Sequence, residues 1–373
     1  MKCIYVVFSC LLSLTFFSCK NKNINVITNP RLENIEIVYE DKYFDQEHKL
    51  FSEIIKIDLE TSKNCLIGNI RDLKVIDSDL YIIQNTSGIN SLLRFNQDGR
   101  FLNEIGKYGR GPGEFLDIRD FNVDNNIIEV LSNTDILQYT IEGNFIKNVF
   151  KTSYPGVGFF KQKSNYFVFH SVMKPYMLTK YSPEGEMEKQ YYPNNYIDAV
   201  SENDKVVLFD NEVSLFCSVR DTIYTINNDE IAPKVIINFL NMPSASIAYM
   251  KANNAMEFIT ELNSNEKNYC TINNYLENSN YIIIKYSRAR KSFYCIYDKE
   301  HKKSIYFDSQ TIDKTTEVRY SNPIYLTNDD YLVIPVLKEK LTSLNNPETK
   351  SDSESDTYKN PEIWFCKINL QSK

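Results

Sequence analysis

Histidine, tryptophan and glycine are scarce in this chain, which has three, one and 11 of them in 373 residues. The histidines, His48, His170 and His301, lie far apart, and no two cysteines form a Cys-x-x-Cys pair, so the sequence offers no zinc site. The acidic turns at 77–79 and 124–126 offer fewer oxygen ligands than calcium takes. A Gly-x-Ser-x-Gly motif is missing too, which argues against a serine nucleophile of the α/β-hydrolase type. We therefore predict neither a metal nor a cofactor.

Positive charge is also in deficit. The 42 lysines and arginines face 49 aspartates and glutamates, which gives a formal net charge of −7 and a pI near 5.3. An acidic chain argues against nucleic acid as a partner. Hydrophobic residues make up 42% of the chain, enough for a sizeable core, and 26 tyrosines with 22 phenylalanines favour β-strands.

The apolar stretch from Cys3 to Phe17 is too short for a comfortable membrane span, which is typical of a targeting segment. It ends in Ser18-Cys19, and polar residues follow. A small residue directly before a cysteine, after an apolar stretch, resembles the lipobox of bacterial lipoproteins. The resemblance implies a signal peptide over 1–18, lipidation of Cys19, a polar tether over 19–34 and a lipid anchor in the outer membrane, on a face that the sequence does not select. The alternative is an ordinary secretory signal with an incidental cysteine.

Five further cysteines are scattered along the chain. An exported protein could oxidise such cysteines to disulfides. A cysteine side chain is small and apolar, however, and is most often buried as a free thiol. We predict free, buried thiols at Cys65, Cys217, Cys270, Cys295 and Cys366.

Short strand–turn–strand units recur roughly 35 to 50 residues apart, which is the period of propeller blades. In the first three units an Asp-Gly or Glu-Gly pair separates two short alternating runs, a strong hairpin signal. The leading strands of the units begin at Leu80, Ile127, Tyr166, Val206, Tyr281 and Tyr331. Six units predict an all-β fold over residues 35–373, a six-bladed β-propeller with four-stranded blades. A strand over Glu53–Asp58 is predicted to close the ring beside the last blade.

Two segments interrupt the repeats. The first, 241–276, contains helix-compatible runs and predicts a small, partly helical insertion between blades four and five. The second, 338–360, is polar, acidic and almost free of apolar residues, which predicts a disordered loop.

A glycine-rich segment between the first two units has four glycines and a proline, so it must be a loop with special backbone conformations. We interpret it as the corner between blades, ended by an aromatic plug. Its members are Gly106, Gly109, Gly111, Pro112, Gly113 and Phe115. The alternative is an anion site formed by consecutive backbone N–H groups.

Five residues around this corner are candidates for ligand binding: Tyr108, Arg110, Glu114, Arg119 and Asp120. If the loop crosses the top face, Arg119 and Asp120 lead into an inner strand near the mouth of the channel. There they could bind a charged or sugar ligand, with the aromatic ring as a stacking face. The alternative is an Arg–Asp pair that satisfies loop carbonyls.

The motif around this corner resembles the NHL-type repeat. The matching residues are Phe95-x-x-Asp98-Gly99-x-Phe101, Ile105-Gly106, Gly109-x-Gly111-Pro112-Gly113-Glu114-Phe115 and Phe121-x-Val123-Asp124. With the lipobox, the whole chain looks like the six-bladed β-propeller lipoproteins of Gram-negative anaerobes. That resemblance implies the fold and an exported, membrane-anchored protein, and it implies no reaction.

Two functions stay open at this point. The first is a non-enzymatic module that binds or scaffolds a protein or a glycan on one propeller face. The second is a carbohydrate-active lyase or hydrolase with its site at the channel mouth, which would need convergent acids. The spacing selects none of the conceivable acids, which are Asp117, Asp120, Asp124, Asp210 and Asp329.

Overall fold

A computed structural model describes residues 32–38, 50–172, 174–194, 203–227, 229–264, 268–309, 312, 322–337 and 359–370. The predicted signal peptide, Cys19, nearly all of the tether and most of the acidic loop lie outside these residues. The strands in chain order are β1 (Glu33–Val38), β2 (Phe51–Asp58), β3 (Asn69–Ile76), β4 (Asp79–Thr86), β5 (Ile89–Phe95), β6 (Phe101–Ile105), β7 (Lys107–Tyr108), β8 (Glu114–Phe115), β9 (Asp120–Asp124), β10 (Ile127–Ser132), β11 (Asp135–Thr140), β12 (Phe145–Lys151), β13 (Gly158–Gln162), β14 (Asn165–Phe169), β15 (Tyr176–Tyr181), β16 (Met187–Pro193), β17 (Lys205–Phe209), β18 (Glu212–Phe216), β19 (Thr222–Asn227), β20 (Glu230–Leu240), β21 (Thr271–Glu277), β22 (Tyr281–Arg288), β23 (Lys291–Asp298), β24 (Lys303–Asp308), β25 (Tyr325–Leu326), β26 (Tyr331–Val336) and β27 (Glu362–Ile368).

These strands form the predicted six-bladed propeller. Five blades are consecutive antiparallel strands, β3–β6, β9–β12, β13–β16, β17–β20 and β21–β24. The sixth blade has the order β25-β26-β27-β2, so the N-terminal strand β2 is its outermost member and closes the ring as predicted. Neighbouring blades touch through their first strands, and these six strands therefore line the centre.

The strand β1 has a role that its sequence did not reveal. It adds to blade four as a fifth strand, parallel to β20, with Ile35 opposite Ile237. Ile35 and Ile37 are fully buried against blades four and five. Glu33 accepts a hydrogen bond from Tyr297 of blade five at 2.9 Å and lies within the segment predicted as tether, so the tether ends earlier than 34.

The Asp-Gly and Glu-Gly pairs do form hairpin turns between the third and fourth strands of blades one to three. In blade two, Gly143 has φ +89°, which glycine adopts without steric cost. A Cβ at this position would lie 2.1 Å from the carbonyl oxygen of Glu104 in blade one. These turns therefore pack directly on the preceding blade, and a glycine is needed for the close approach as well as for the turn.

The predicted insertion between blades four and five contains the helices α1 (Ala245–Lys251) and α2 (Ala255–Leu262). Ser244 and Asn254 cap their N-termini through side-chain oxygens. Tyr249 and Phe258 bury the hairpin against the core of blades three and four. Among the described residues, neither helix has the length and apolar character needed to cross a membrane.

Two predicted boundaries are wrong. The insertion does not extend to 276, because Thr271–Glu277 forms β21, the inner strand of blade five. The acidic loop does not include Asn360, which is 1% exposed and hydrogen-bonded on all sides to the segment that joins β2 to β3. The prediction for the cysteines is confirmed, since Cys65, Cys217, Cys270, Cys295 and Cys366 are all free and buried.

Candidate functional site

The inner strands enclose a central cavity of about 530 Å³. Residues of β3, β9, β17, β21 and β25 form most of its wall. A volume of this size lies within the range of about 300–1,000 Å³ that is usual for ligand pockets. The wall is about half apolar and carries five basic and four acidic side chains, so the partners of these charges decide what the cavity can bind. The basic residues are Arg71, Lys74, Arg119, Lys205 and Lys285, and the acidic ones are Asp72, Asp120, Asp204 and Glu277.

Asp120 is held by the protein itself. Lys74 Nζ lies 2.5 Å from Asp120 Oδ1 and also donates to the Phe121 carbonyl at 2.6 Å. The backbone N–H of Phe159 donates to Asp120 Oδ2 at 3.0 Å, which ties blades one, two and three together. Both oxygens are thus occupied, and the side chain is buried. Asp120 therefore serves mainly to fasten inner strands to one another.

Asp204 and Glu277 are also satisfied within the protein. Asp204 accepts hydrogen bonds from the backbone N–H and the hydroxyl of Ser218, both at 2.8 Å, and from the hydroxyl of Ser171. Glu277 lies between Lys234 and Lys299, and both contacts are ion pairs, at 3.2 and 2.7 Å. These two acids therefore have little capacity left for a ligand.

Asp72 and Lys205 are different. Asp72 accepts a 2.9 Å hydrogen bond from the backbone N–H of Leu73, and Lys205 donates one of 2.6 Å to the amide oxygen of Asn274. Within the described ranges, neither side chain forms an ion pair. Burial raises the pKa of Asp72, and burial lowers the pKa of Lys205 to about 8, although Asp72 opposes that shift. The cavity thus contains one carboxylate and one ammonium that no direct counter-charge neutralises.

Two arginines lie at the mouth of the cavity. The carboxylate of Asp117 bridges them, with Arg71 NH1 at 3.0 Å and Arg119 Nε at 2.6 Å. Both arginine side chains are about one-third exposed, at 33% and 39%. One carboxylate between two guanidinium groups leaves a net positive charge beside the opening.

The structure separates the five predicted binding residues into two groups. Arg119 and Asp120 line the cavity, as expected from their approach to an inner strand, but each pairs with another residue, Asp117 or Lys74. Tyr108, Arg110 and Glu114 lie in the corner instead, and Glu114 accepts a 2.7 Å hydrogen bond from the Gly111 N–H. Their role in binding stays a prediction. Of the conceivable catalytic acids, Asp120 lines the cavity.

Sequence reasoning missed Asp72 and Lys205, together with Asn274. Asp72 and Lys74 alternate along β3, so they point to the same face of that strand. This alternation of opposite charges two residues apart, just before the first predicted strand of a unit, was a signal that could have identified the inner strand and its channel-facing side chains.

The glycine-rich segment runs from β6, the outer strand of blade one, to β9, the inner strand of blade two, as predicted. Within it β7 and β8 pair side by side. Phe115 is 2% exposed, and its ring packs edge-on with that of Tyr139, with the two ring centroids 6.4 Å apart. It therefore forms the predicted plug. The Tyr139 hydroxyl donates to the Gly113 carbonyl at 3.1 Å. The segment is therefore held on blade two both by ring packing and by a hydrogen bond to Tyr139.

Gly113→Ala is expected to lower the free energy of unfolding by about 2–3 kcal/mol. Gly113 has φ +73°, where an L-residue is strained by roughly 1–2 kcal/mol. A Cβ would also lie 2.3 Å from Cγ of Phe145, which must move. Gly113→Asn relieves the backbone strain but not the contact, so a loss above about 1 kcal/mol should persist.

Chemical denaturation of both variants measures this effect, and Arg110→Ala is the control. Arg110 is exposed, and its loss should change stability by under about 0.5 kcal/mol. Unchanged stability of Gly113→Ala would show that the corner is not a structural element.

Comparisons with known proteins agree with the architecture. An 18% identical protein of Bacteroides fragilis, assigned as exported, superimposes with a TM-score of 0.73 over 91% of this chain and 99% of its own. A protein of unknown function from Bacteroides caccae is 11% identical, with a TM-score of 0.41 over 65% of this chain and 82% of its own. No curated protein sequence matches. Residues 32–371, nearly the whole described propeller, match a family defined as a domain of unknown function. The chain belongs to that family, DUF4934.

Proposed function

We propose that this protein is a binding module of the bacterial cell envelope that holds its ligand in the central cavity. The observation that carries the proposal is the pair of cavity-facing charges, Asp72 and Lys205, which lack direct counter-charges within the described residues. Charged side chains that are partly withdrawn from water, as these two half-buried ones are, are costly unless they are paired. A fold that keeps two of them beside a 530 Å³ space is therefore well suited to bind a ligand that supplies the missing partners.

The carboxylates argue for binding rather than for hydrolysis. A glycoside hydrolase uses two acids that flank the scissile bond. In the cavity wall, Asp120, Asp204 and Glu277 are occupied by lysines, hydroxyls and backbone N–H groups. Of the four, only Asp72 retains a carboxylate oxygen, Oδ2, without such a partner in the described part of the chain, so the wall does not supply a second acid.

A ligand screen tests the proposal. Full-length protein would be screened against envelope glycans and peptides by ligand-observed NMR, and hits would be mapped by hydrogen–deuterium exchange. We expect protection on the inner strands β3, β17 and β21. Protection confined to outer strands such as β12 and β16 would place binding on the outside of the ring and refute a cavity site.

One observation favours a second candidate, a lyase acting on acidic sugars. A lysine whose pKa is about 8 can act as a general base near neutral pH, as Lys205 could. Asn274 beside it could orient a substrate carboxylate. Release of an unsaturated sugar from uronate polysaccharides, lost in Lys205→Met, would establish the lyase in place of the pure binding module.

The envelope location of the proposal is supported by the lipobox-like Ser18-Cys19 and by the exported protein of B. fragilis that shares the fold. Cys19→Ala is expected to move the protein from the membrane to the soluble fraction, because a thioether-linked lipid needs the thiol. Fractionation of cells that express each form measures the shift, and Cys65→Ala, which changes a buried thiol, is the control. A Cys19→Ala protein that still sediments wholly with membranes would argue against lipidation.

A further inference from the structure

We infer that the ligand of the central cavity is a small carboxylate whose opposite end donates hydrogen bonds, bound between Lys205 and Asp72. The inference rests on the proposed function and specifies the chemistry of the ligand. It starts from position. Lys205 opens β17 in blade four, and Asp72 lies in β3 of blade one. In a ring of six blades, these two are directly across the channel from each other.

The Lys205 side of the cavity fits an anion. Among the described residues the ammonium donates one hydrogen bond, to Asn274, and a lysine has three donors. Two charged groups of β3 act on Lys205 across the channel: Asp72 raises its pKa and Lys74 lowers it, and Lys74 is already paired with Asp120. A carboxylate placed against Lys205 would supply the counter-charge that the protein does not. The side-chain amide of Asn274 donates to the Pro323 carbonyl at 3.0 Å, which fixes its orientation.

The Asp72 side of the cavity fits donors. Within the ranges that the structure describes, its carboxylate accepts one hydrogen bond, from the Leu73 N–H, and an ionised carboxylate has about four acceptor sites. Hydroxyl or amino groups of a ligand could occupy the others. A second negative charge could not, because it would face Asp72 directly. This arrangement favours a singly charged carboxylate over a phosphate dianion.

Charge balance around the cavity points the same way. The chain carries a formal net charge of −7, yet basic side chains outnumber acidic ones on the cavity wall. Glu277 is in addition offset by Lys234 and Lys299, which lie within the blades. Arg71 and Arg119 hold positive charge at the mouth around a single carboxylate. The cavity therefore does not share the net negative charge of the chain, and it is a more favourable place for a small anion than the rest of the surface.

Two kinds of molecule share this chemistry, a sugar acid and an amino acid, and the test separates them. Isothermal titration of the full chain at about pH 7 would use D-glucuronate, D-glucose, glycine and inorganic phosphate as probes. We expect a carboxylate probe to bind and glucose and phosphate to bind at least about tenfold more weakly. Glucuronate binding identifies hydroxyls as the groups that meet Asp72, and glycine binding identifies an ammonium.

Variants locate the charge that is responsible. Lys205→Met should weaken the carboxylate probe by about 10- to 100-fold, the range for losing a hydrogen bond to a charged group. Its thermal melting should stay at or above that of the parent, since it removes a half-buried charge that has no ion-pair partner in the described residues. Lys151→Met is the matched control, because that side chain is 71% exposed, and it should leave affinity unchanged.

The affinity should also fall with rising pH. The pKa of Lys205 is about 8, so above that value the free protein loses the ammonium and binding of a carboxylate weakens.

Carboxylate and neutral probes that bind equally, or an unchanged affinity in Lys205→Met, would refute this inference while leaving cavity binding intact. Failure of every probe, alongside a neutral screening hit that protects the inner strands, would refute it too. If the ligand screen gives no hit that protects the inner strands, the proposed function is refuted instead.

Discussion

Asn360→Ala is expected to lower the free energy of unfolding by about 3–5 kcal/mol. The Asn360 side chain is buried and satisfies three backbone groups of the segment between β2 and β3. Its oxygen accepts from the Ile67 N–H at 2.8 Å, and its amide donates to the carbonyls of Glu60 and Cys65, both at 2.6 Å. Alanine would remove these three hydrogen bonds. The Glu60 carbonyl would keep the Cys65 thiol as a donor at 3.2 Å, and each buried group left unsatisfied costs about 1–3 kcal/mol.

Thr61→Ala is the control for this prediction. Thr61 is exposed and accepts one hydrogen bond, from the backbone N–H of the same asparagine at 3.0 Å. Its loss should cost no more than about 1 kcal/mol. Urea denaturation of both variants provides the comparison. If both variants lose the same free energy of unfolding, water replaces the lost amide, and the segment that joins β2 to β3 does not depend on Asn360.

The ring is therefore closed in two ways. β2 supplies the outermost strand of the sixth blade, pairing with β27 from Phe51 to Asp58. The chain then leaves this strand toward the first blade, and Asn360 fastens that connection just before β27 begins. The strand could be predicted, since it alternates and lies at the expected place. The asparagine could not, because a single Asn beside a proline in a polar stretch has the composition of any loop.

The same contrast, between strands with a clear apolar pattern and isolated polar residues, explains which strands of the blades could be predicted from the sequence. The second strands of the blades are largely buried, and runs such as Leu80–Ile83 show it in their apolar residues. The inner strands β3 and β9 line the cavity, so charged residues interrupt the alternation of apolar residues that marks a strand. The third inner strand, β21, lies within the range predicted as the helical insertion. The candidate site lies on those strands. Its two open charges come from opposite blades, and sequence spacing carries no information about such pairing.

Glu277→Gln is expected to lower the free energy of unfolding by about 3–5 kcal/mol, although the two side chains have nearly the same shape. Glu277 is 1% exposed and ionised between Lys234 and Lys299. It also accepts hydrogen bonds from the hydroxyls of Ser214 at 2.5 Å and Tyr275 at 2.6 Å. A neutral amide leaves Lys299 without an ion pair among the described residues and Lys234 with Glu212 alone, and removing one partner of a buried ionic cluster costs this amount.

Three comparisons isolate the charge of Glu277 as the cause. Glu212→Gln removes the other acid that pairs with Lys234, at 2.8 Å, but that side chain is 38% exposed and its loss should cost under about 1 kcal/mol. Adding Lys234→Met to Glu277→Gln should restore part of the stability, because it removes one of the two ammonium groups that residue 277 no longer neutralises. Burial opposes ionisation of Glu277, yet the two lysines outweigh burial and lower its pKa below the usual 4.5. Ionised Glu277 therefore stabilises the fold above that pH, and the difference between parent and Glu277→Gln should narrow as the pH falls through the lowered pKa. A difference that does not change with pH would show that the loss comes from packing and not from the buried charges.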